Sequence, residues 1–490
     1  MAETLLWHDY ETFGANPRYD RPVQFAAIRT DLDFNPVGEP ISVFAKPPRD
    51  YLPHPGACLV TGITPQLAEE RGVIEAEFAA TVYEALAQPG TCALGYNSIR
   101  FDDEVTRFTL YRNLRPPYAR EWGDGRSRWD LIDAVRTARA LRPDGIEWPR
   151  REDGHVSFRL EDLTRANGIE HGEAHDALGD VRATLALARL LRDRQPKLYD
   201  WLYRHRQKQA VRDLLHAAGD GPLLHVSGRF GAARSNLSII LPLAWHPGNG
   251  NELLCADLAV DAQVLIDLDA GELRRLLYTP QAELGSGEQR PGLKSVHINR
   301  APVLLPLAMA DDAVCQRTGL NRAACERNRK LLETHEARHP GALRDKLRAL
   351  LRDSAPPAAD DVDLRLYSGG FQSDQDRRTL DSLLTLSPVE LARATPVFED
   401  RHLAELLLRY RARNYPATLS AEEREDWEAR RFERLTAEDG PGLGLAAYNA
   451  EIEARLAEPS LTARDRAILE ALQAWGDRLL EIGRASCRER

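Results

Sequence analysis

Residues 3–14, ETLLWHDYETFG, set an apolar run of Leu5, Leu6 and Trp7 directly before two carboxylates, Asp9 and Glu11. Side chains two apart on a strand share a face, so both acids project onto one patch near the strand's end. Two anions held that close repel unless cations or protons intervene. Their hard oxygen donors suit Mg²⁺ or Mn²⁺. Taken alone, the Asp-x-Glu pair reads better as a structural or surface feature of a strand end, since the pattern occurs by chance.

Working outward, TLLWHDYE, PVQFAAIRTD and PISVFAK read as three strands joined by Gly, Pro and Asp turns. TPQLAEERG reads as a helix with Thr64 at its cap and Pro65 in its opening position, and EAEFAATVYEALAQ as another. CALGYN is a short strand, a helix follows from about Asp102, and EDLTRANG and ALGDVRATLALARLLRDR carry helical apolar spacing. The β-β-β-α-β-α order predicts a mixed α/β sheet over residues 1–190.

From residue 196 the pattern changes: LLHVSGRF, LSIILPLAW, ELLCADL and KSVHINRAPVLLP are short β runs, which predicts a small barrel with helical insertions such as DAGELRRLLY over 196–350. SAPPAADDVD (354–363) reads as a linker, and a mainly helical segment fills 354–480. The last ten residues, EIGRASCRER (481–490), match nothing before them, read as a non-native tail, and take Cys487 out of consideration.

At 490 residues the chain predicts two to four domains, and its 43% hydrophobic and 29% charged content is that of a globular protein. A net charge of −10 argues against a protein that coats nucleic acid indiscriminately, though not against an enzyme with a local basic groove. The six scattered cysteines form no CxxC pair, which argues against a zinc site or a disulfide framework. No stretch has the length of a membrane span and the N-terminus has no signal pattern, so a cytoplasmic protein is expected.

Two further motifs carry acids. GYNSIRFDDEVTR places Asp102 and Asp103 at a helix start, where one of them, by our reading Asp103, caps the helix. EHGEAHDALGDVRAT puts His175 five residues before Asp180, so a loop His and a helical Asp can face one cleft.

Together, Asp-x-Glu on the first strand, Asp at a helix start and His-x₄-Asp at a later helix resemble the DEDDh family of 3′→5′ exonucleases. HDYETFG, DRPVQFAAIRTD, YLPHPGACLVTGITPQ, SFRLEDLTRANGIEHGEAHDA, HVSGRFGA and YRARNYP extend the resemblance, through about residue 480, to the bacterial exodeoxyribonuclease I branch. The resemblance implies a ribonuclease-H-like exonuclease domain, an SH3-like barrel domain and a helical C-terminal domain. It implies processive 3′→5′ digestion of single-stranded DNA to 5′-mononucleotides in repair and recombination, by a monomer that encloses its strand.

By resemblance Asp9, Glu11 and Asp180 hold two Mg²⁺ ions, with Mn²⁺ as an alternative, and Asp102 completes the acidic set. His175 would take the proton of the attacking water, a task its ordinary pKa near 6.5 suits. Glu11 and Arg159 would touch substrate, with a salt bridge to Glu161 or Asp162 as the other reading of Arg159. Arg107, Tyr118, Trp122 and Arg136 match family positions on DNA, and Lys208, Asn251, Lys294 and His297 match further ones assigned to the barrel. Tyr367 and Phe371 read better as loop anchors. The family also docks the acidic tail of single-stranded DNA-binding protein, at a place the sequence does not fix. Two rivals remain at this point: a DEDDh exoribonuclease, and an inactive protein that only binds single strands.

Overall fold

A computed structural model describes residues 3–170, 176–219, 221–352, 359–368, 370 and 372–488. The chain groups into two compact units: one of residues 1–127, 171–182 and 357–490, the other of 128–170 and 183–356.

In the first unit the strands are β1 (Thr4–Thr12), β2 (Pro22–Thr30), β3 (Ile41–Phe44) and β4 (Thr91–Gly95), in the order β3-β2-β1-β4. β2 runs antiparallel to β1 and β3, and β4 parallel to β1. β1 is central and covered on both faces, which is why TLLW is apolar without alternation, Leu5, Leu6 and Trp7 all being buried. Leu6 and Tyr10 pack with Phe25, Phe78, Val82 and Val105, from β2 and the helices Glu75–Leu86 and Asp102–Arg112.

The C-terminal helices share their two larger apolar clusters with the N-terminal part of the chain, beside a small cluster of their own at Ala412, Leu419 and Trp427. Leu435, Tyr448, Ile452, Leu472 and Trp475 pack with Phe13, Tyr19, Val23 and Tyr51. Leu366, Leu403 and Tyr410 pack with Phe108, Tyr111 and Leu114. Between these clusters lies a buried ion network. Asp363 accepts from Arg413 (Nη1, 2.9 Å), Arg434 (3.0 Å) and Arg409 (3.2 Å), and Asp50 from Arg413 Nη2 (2.7 Å). The expected linker 354–363 is therefore corrected at its end. Residues 353–358 lie outside the described set, but Val362 and Asp363 open a buried turn, Val362–Tyr367, because the carboxylate is the hub of those guanidiniums.

The second unit opens within β5 (Ser127–Asp130), a strand the sequence reading missed. It is built on β6 (Leu223–Val226), β7 (Leu237–His246), β8 (Asn249–Asp257), β9 (Leu293–His297) and β10 (Val303–Pro306). These form an antiparallel sheet in the order β10-β6-β7-β8-β9. Val211 and Leu215 of the helix Lys208–Ala218 bury against Ile240, Leu253, Cys255 and Val296. The inserted helix Ala270–Tyr278 begins at a reciprocal cap between Asp269 and Glu272. Among the described residues the cysteines are free, and no helix is long and apolar enough to cross a membrane.

Candidate metal centre and strand-binding residues

β1 pairs with β4 from Thr4↔Thr91 to Trp7↔Leu94 only, so Asp9 and Glu11 project beyond that pairing, where β1 still meets β2 through Asp9↔Ala26 and Glu11↔Gln24. β4 stops at Gly95, where a β-carbon would sit 2.7 Å from the His8 carbonyl oxygen. Glycine therefore lets the chain turn immediately; Asn97 follows in left-handed backbone (φ 63°), and the helix Asp102–Arg112 begins after one tight turn. The Thr106 hydroxyl donates to the Asp102 carbonyl (2.7 Å) and shares a 2.9 Å hydrogen bond with the Tyr10 hydroxyl, fastening that helix start to β1.

Asp180 lies in the first turn of the helix Ala177–Arg194. Just ahead of it Asp176 accepts from the Gly179 backbone N–H (3.2 Å) and from Gln24 Nε2 (3.1 Å). Asp176 thus caps the helix and docks it beside Glu11, since Gln24 is Glu11's cross-strand neighbour. Sequence reasoning missed this residue; its signal was an acid four places before Asp180 at a helix start.

The result is a set of three carboxylates, Asp9, Glu11 and Asp180, each with a ligand atom within 4.8 Å of the others. Burial first, then Asp102, Glu11 and Asp180, hold the Asp9 carboxyl well above the usual range. Burial, then Asp180, Asp102 and Asp176, push Glu11 up to about 8. Buried and partly buried carboxylates that raise one another's pKa are relieved by a cation placed among them, and an all-oxygen donor set suits a hard divalent ion. The residues present therefore fit such an ion.

Asp103 departs from expectation. The cap position is Phe101, which makes no side-chain capping bond, and the Asp103 carboxylate, in the first turn of the helix, accepts from Arg120 Nη2 at 2.7 Å with both groups buried. Burial and then Arg120 lower the nearby His8 to about 4, so it stays neutral at pH 7. His175 lies outside the described residues.

The expected strand contacts divide. Trp122 is 71% exposed, so it is not tucked into the core. Arg107 points inward and is spent on protein: Nε and Nη2 donate to Glu121 (2.6 and 3.0 Å) and Nη1 to Glu104 (2.6 Å). It lies 5.5 Å from the half-buried Tyr118 ring. Glu121 and Arg120, also unforeseen, pin the segment carrying Trp122 to the helix that begins at Asp102. Tyr367 donates to Glu104 (2.7 Å) and packs edge-on to Phe108, as an anchor does; Phe371 lies outside the described residues.

In the second unit Arg159 is exposed just before the helix Leu160–Ala166. Among the described residues it forms no ion pair with Glu161 or Asp162, and Asp162 is engaged by Ser157 (2.6 Å). Arg136 pairs with Asp133 (2.7 Å). Lys208 opens a helix and is not on a barrel strand. Asn251 is on β8, and Lys294 and His297 are on β9, all partly buried. His297 is opposite Glu252.

Family models match in three successive stretches: Exonuclease over residues 6–188, Exonuclease I SH3-like domain over 206–353, and Exonuclease I C-terminal domain over 360–479. The chain is 45% identical over 481 residues to exodeoxyribonuclease I of Escherichia coli K12, covering 98% of this chain and 99% of that one. Exonuclease I from Methylocaldum szegediense superposes with a TM-score of 0.92 at 50% identity, over 98% of this chain and all of that one. The zinc-bound complex of E. coli exonuclease I with single-stranded DNA gives 0.92 at 45%, over 98% and 100%. A structure of single-stranded DNA-binding protein and exonuclease I with an inhibitor gives 0.89 at 43%, over 98% and 100%.

Proposed function

The chain belongs to the exonuclease I family, and on that premise we propose that it digests single-stranded DNA from the 3′ end to 5′-mononucleotides. The single observation that carries this reading is the convergence of Asp9, Glu11 and Asp180 within 4.8 Å. The family's chemistry depends on a divalent metal, and we assign Mg²⁺, as two ions, to these carboxylates with Asp102 completing the set. When bound, such ions polarise water and neutralise charge on the phosphoryl group.

The remaining steps fall to the chain itself. Asp9, Glu11 and Asp180 orient their oxygens toward one point because β1 ends there and Asp176 holds the helix start against Gln24. His175 is the residue we assign to accept the proton of the attacking water. Trp122 offers an exposed ring on which a base can stack, and Tyr118 a partly buried one. Arg107 acts as a positioning residue through Glu121 and Tyr118. Arg159, Arg136, Lys208, Asn251, Lys294 and His297 are proposed contacts of the second unit. The division into an exonuclease segment (1–190), a barrel segment (196–350) and a helical segment (354–480), the action as a monomer in the cytoplasm during repair and recombination, and docking of the tail of single-stranded DNA-binding protein belong to the same proposal.

Labelled substrates test it. Single-stranded DNA carrying a 3′ or a 5′ label, duplex DNA and RNA are offered with Mg²⁺ and then with chelator. The expected result is stepwise loss of nucleotides from the 3′ end of single-stranded DNA, stopped by chelation. Chelator-resistant cleavage, or RNA digested in preference to DNA, contradicts the proposal.

A further inference from the structure

The helix Arg322–Arg338 of the second unit ends on HEARH (335–339), two histidines four residues apart with a glutamate between them. Residues i and i+4 share one face of a helix, and two imidazoles at this spacing can grip a zinc ion. The helical turn is closed as far as the second histidine, since the His339 backbone N–H donates to the His335 carbonyl (2.8 Å). The two rings lie side by side, their centroids 5.1 Å apart and their planes at 45°.

That spacing can be compared with the geometry of a bound ion. A zinc–nitrogen bond of about 2.1 Å, with about 1.1 Å more from nitrogen to ring centre, puts the ion about 3.2 Å from each centroid. Centroids 5.1 Å apart then subtend about 105° at the ion, close to the tetrahedral angle. His339 is exposed and His335 half-buried, and among the described residues neither ring has an ion pair or hydrogen bond that competes for its nitrogens. The partial negative charge at a helix C-terminus also favours a cation there.

We propose that His335 and His339 together bind one transition-metal dication of the Zn²⁺, Cu²⁺ and Ni²⁺ class, which imidazole suits as carboxylate oxygens suit Mg²⁺. The site has no ligand in common with Asp9, Glu11 and Asp180, and it does not rest on the exonuclease reading. Among the described residues no third His, Cys, Asp or Glu joins the two rings, so water completes the coordination. Glu336 is held by the turn that follows, where its carboxylate accepts from the Gly341 backbone N–H (2.9 Å). The ion therefore binds and clips the last helical turn, and Glu336 does not serve it as a base.

The test titrates Zn²⁺ calorimetrically into the full chain with Mg²⁺ in large excess, and repeats the titration with His335→Ala and His339→Ala. Zn²⁺ that displaces Mg²⁺ from the carboxylates is common to all three proteins and cancels. Each substitution should weaken one class of Zn²⁺ site by about a hundredfold. Digestion of single-stranded DNA in Mg²⁺ should be unchanged in both variants, which checks that they fold. Identical Zn²⁺ isotherms for the three proteins overturn the proposal. So does a loss confined to one of the two variants, because the rings would then share no ion. Peptide hydrolysis that needs both Zn²⁺ and His339 would overturn the assignment as a binding site alone.

Discussion

Asp180→Asn is expected to lower kcat on single-stranded DNA by about a thousandfold while the strand still binds. Asp180 is one of three carboxylates whose ligand atoms lie within 4.8 Å, and it faces the pair that β1 supplies. Asn keeps the shape and one oxygen but removes the charge a divalent cation needs. Binding survives because the proposed stacking residues, Trp122 and Tyr118, lie on a segment fixed independently by Arg107–Glu121 and Arg120–Asp103. Quenched-flow cleavage and filter binding with the same strand separate the two effects.

The same variant changes the metal-free protein in the opposite direction. Glu11 is raised to about 8 when folded, and Asp180 is the largest charge responsible. A carboxyl whose folded pKa exceeds its unfolded value binds more protons when folded. Its ionisation therefore costs stability as pH rises from the unfolded value, near 4.3, toward 8. Removing Asp180 relieves that cost, so metal-free Asp180→Asn should melt about 2–5 °C above wild type at pH 8. The difference should vanish near pH 4. Adding Mg²⁺ should raise the wild-type midpoint and leave the variant nearly unmoved.

The largest effect on stability is expected at Asp363. Its carboxylate is 1% exposed and receives Arg413, Arg434 and Arg409, with Arg21 3.6 Å away. Asp363→Asn turns an N–H₂ group toward those donors and leaves the guanidiniums with Asp50, Asp361, Glu75 and Glu405. Removing one partner of a buried ion pair costs about 3–5 kcal/mol. The apparent melting midpoint should fall by about 10 °C.

The pH dependence identifies the cause. The arginines hold the Asp363 carboxyl well below the usual aspartate range, against the opposing effect of burial. A depressed carboxyl contributes its full stability above its unfolded pKa, near 3.9, and loses it as pH falls through the folded value. The gap between wild type and Asp363→Asn should stay constant from neutrality to about pH 4 and shrink below that. A gap that narrows already at pH 6 would point to a histidine instead.

These cases also show what was legible in the sequence. Asp9 and Glu11 could be placed because a strand has a fixed period of two, and Asp180 because apolar spacing marks its helix and the His-x₄-Asp motif resembles the family's. Trp122 was likewise legible as a ring interleaved with cations. Arg107 was not: its sequence neighbours suggest a surface cation, but its guanidinium finds Glu121, fourteen residues away, across a loop whose path no local pattern encodes. Asp363 looked like linker for the same reason, since its partners lie about 50 to 70 residues further on and its polarity reads as solvent exposure. The change in strand and helix pattern near residue 196 was legible, with barrel strands and inserted helices following it. The placement of 128–170 with 183–356 was not, because it depends on contacts between stretches far apart in the chain.

The most direct measurement is anomalous diffraction from crystals of the full chain grown with Mn²⁺. A peak within about 2.3 Å of carboxylate oxygens of Asp9, Glu11 and Asp180 is predicted. Ordered, well-resolved carboxylates with no peak between them, or a peak bound elsewhere, would contradict the account.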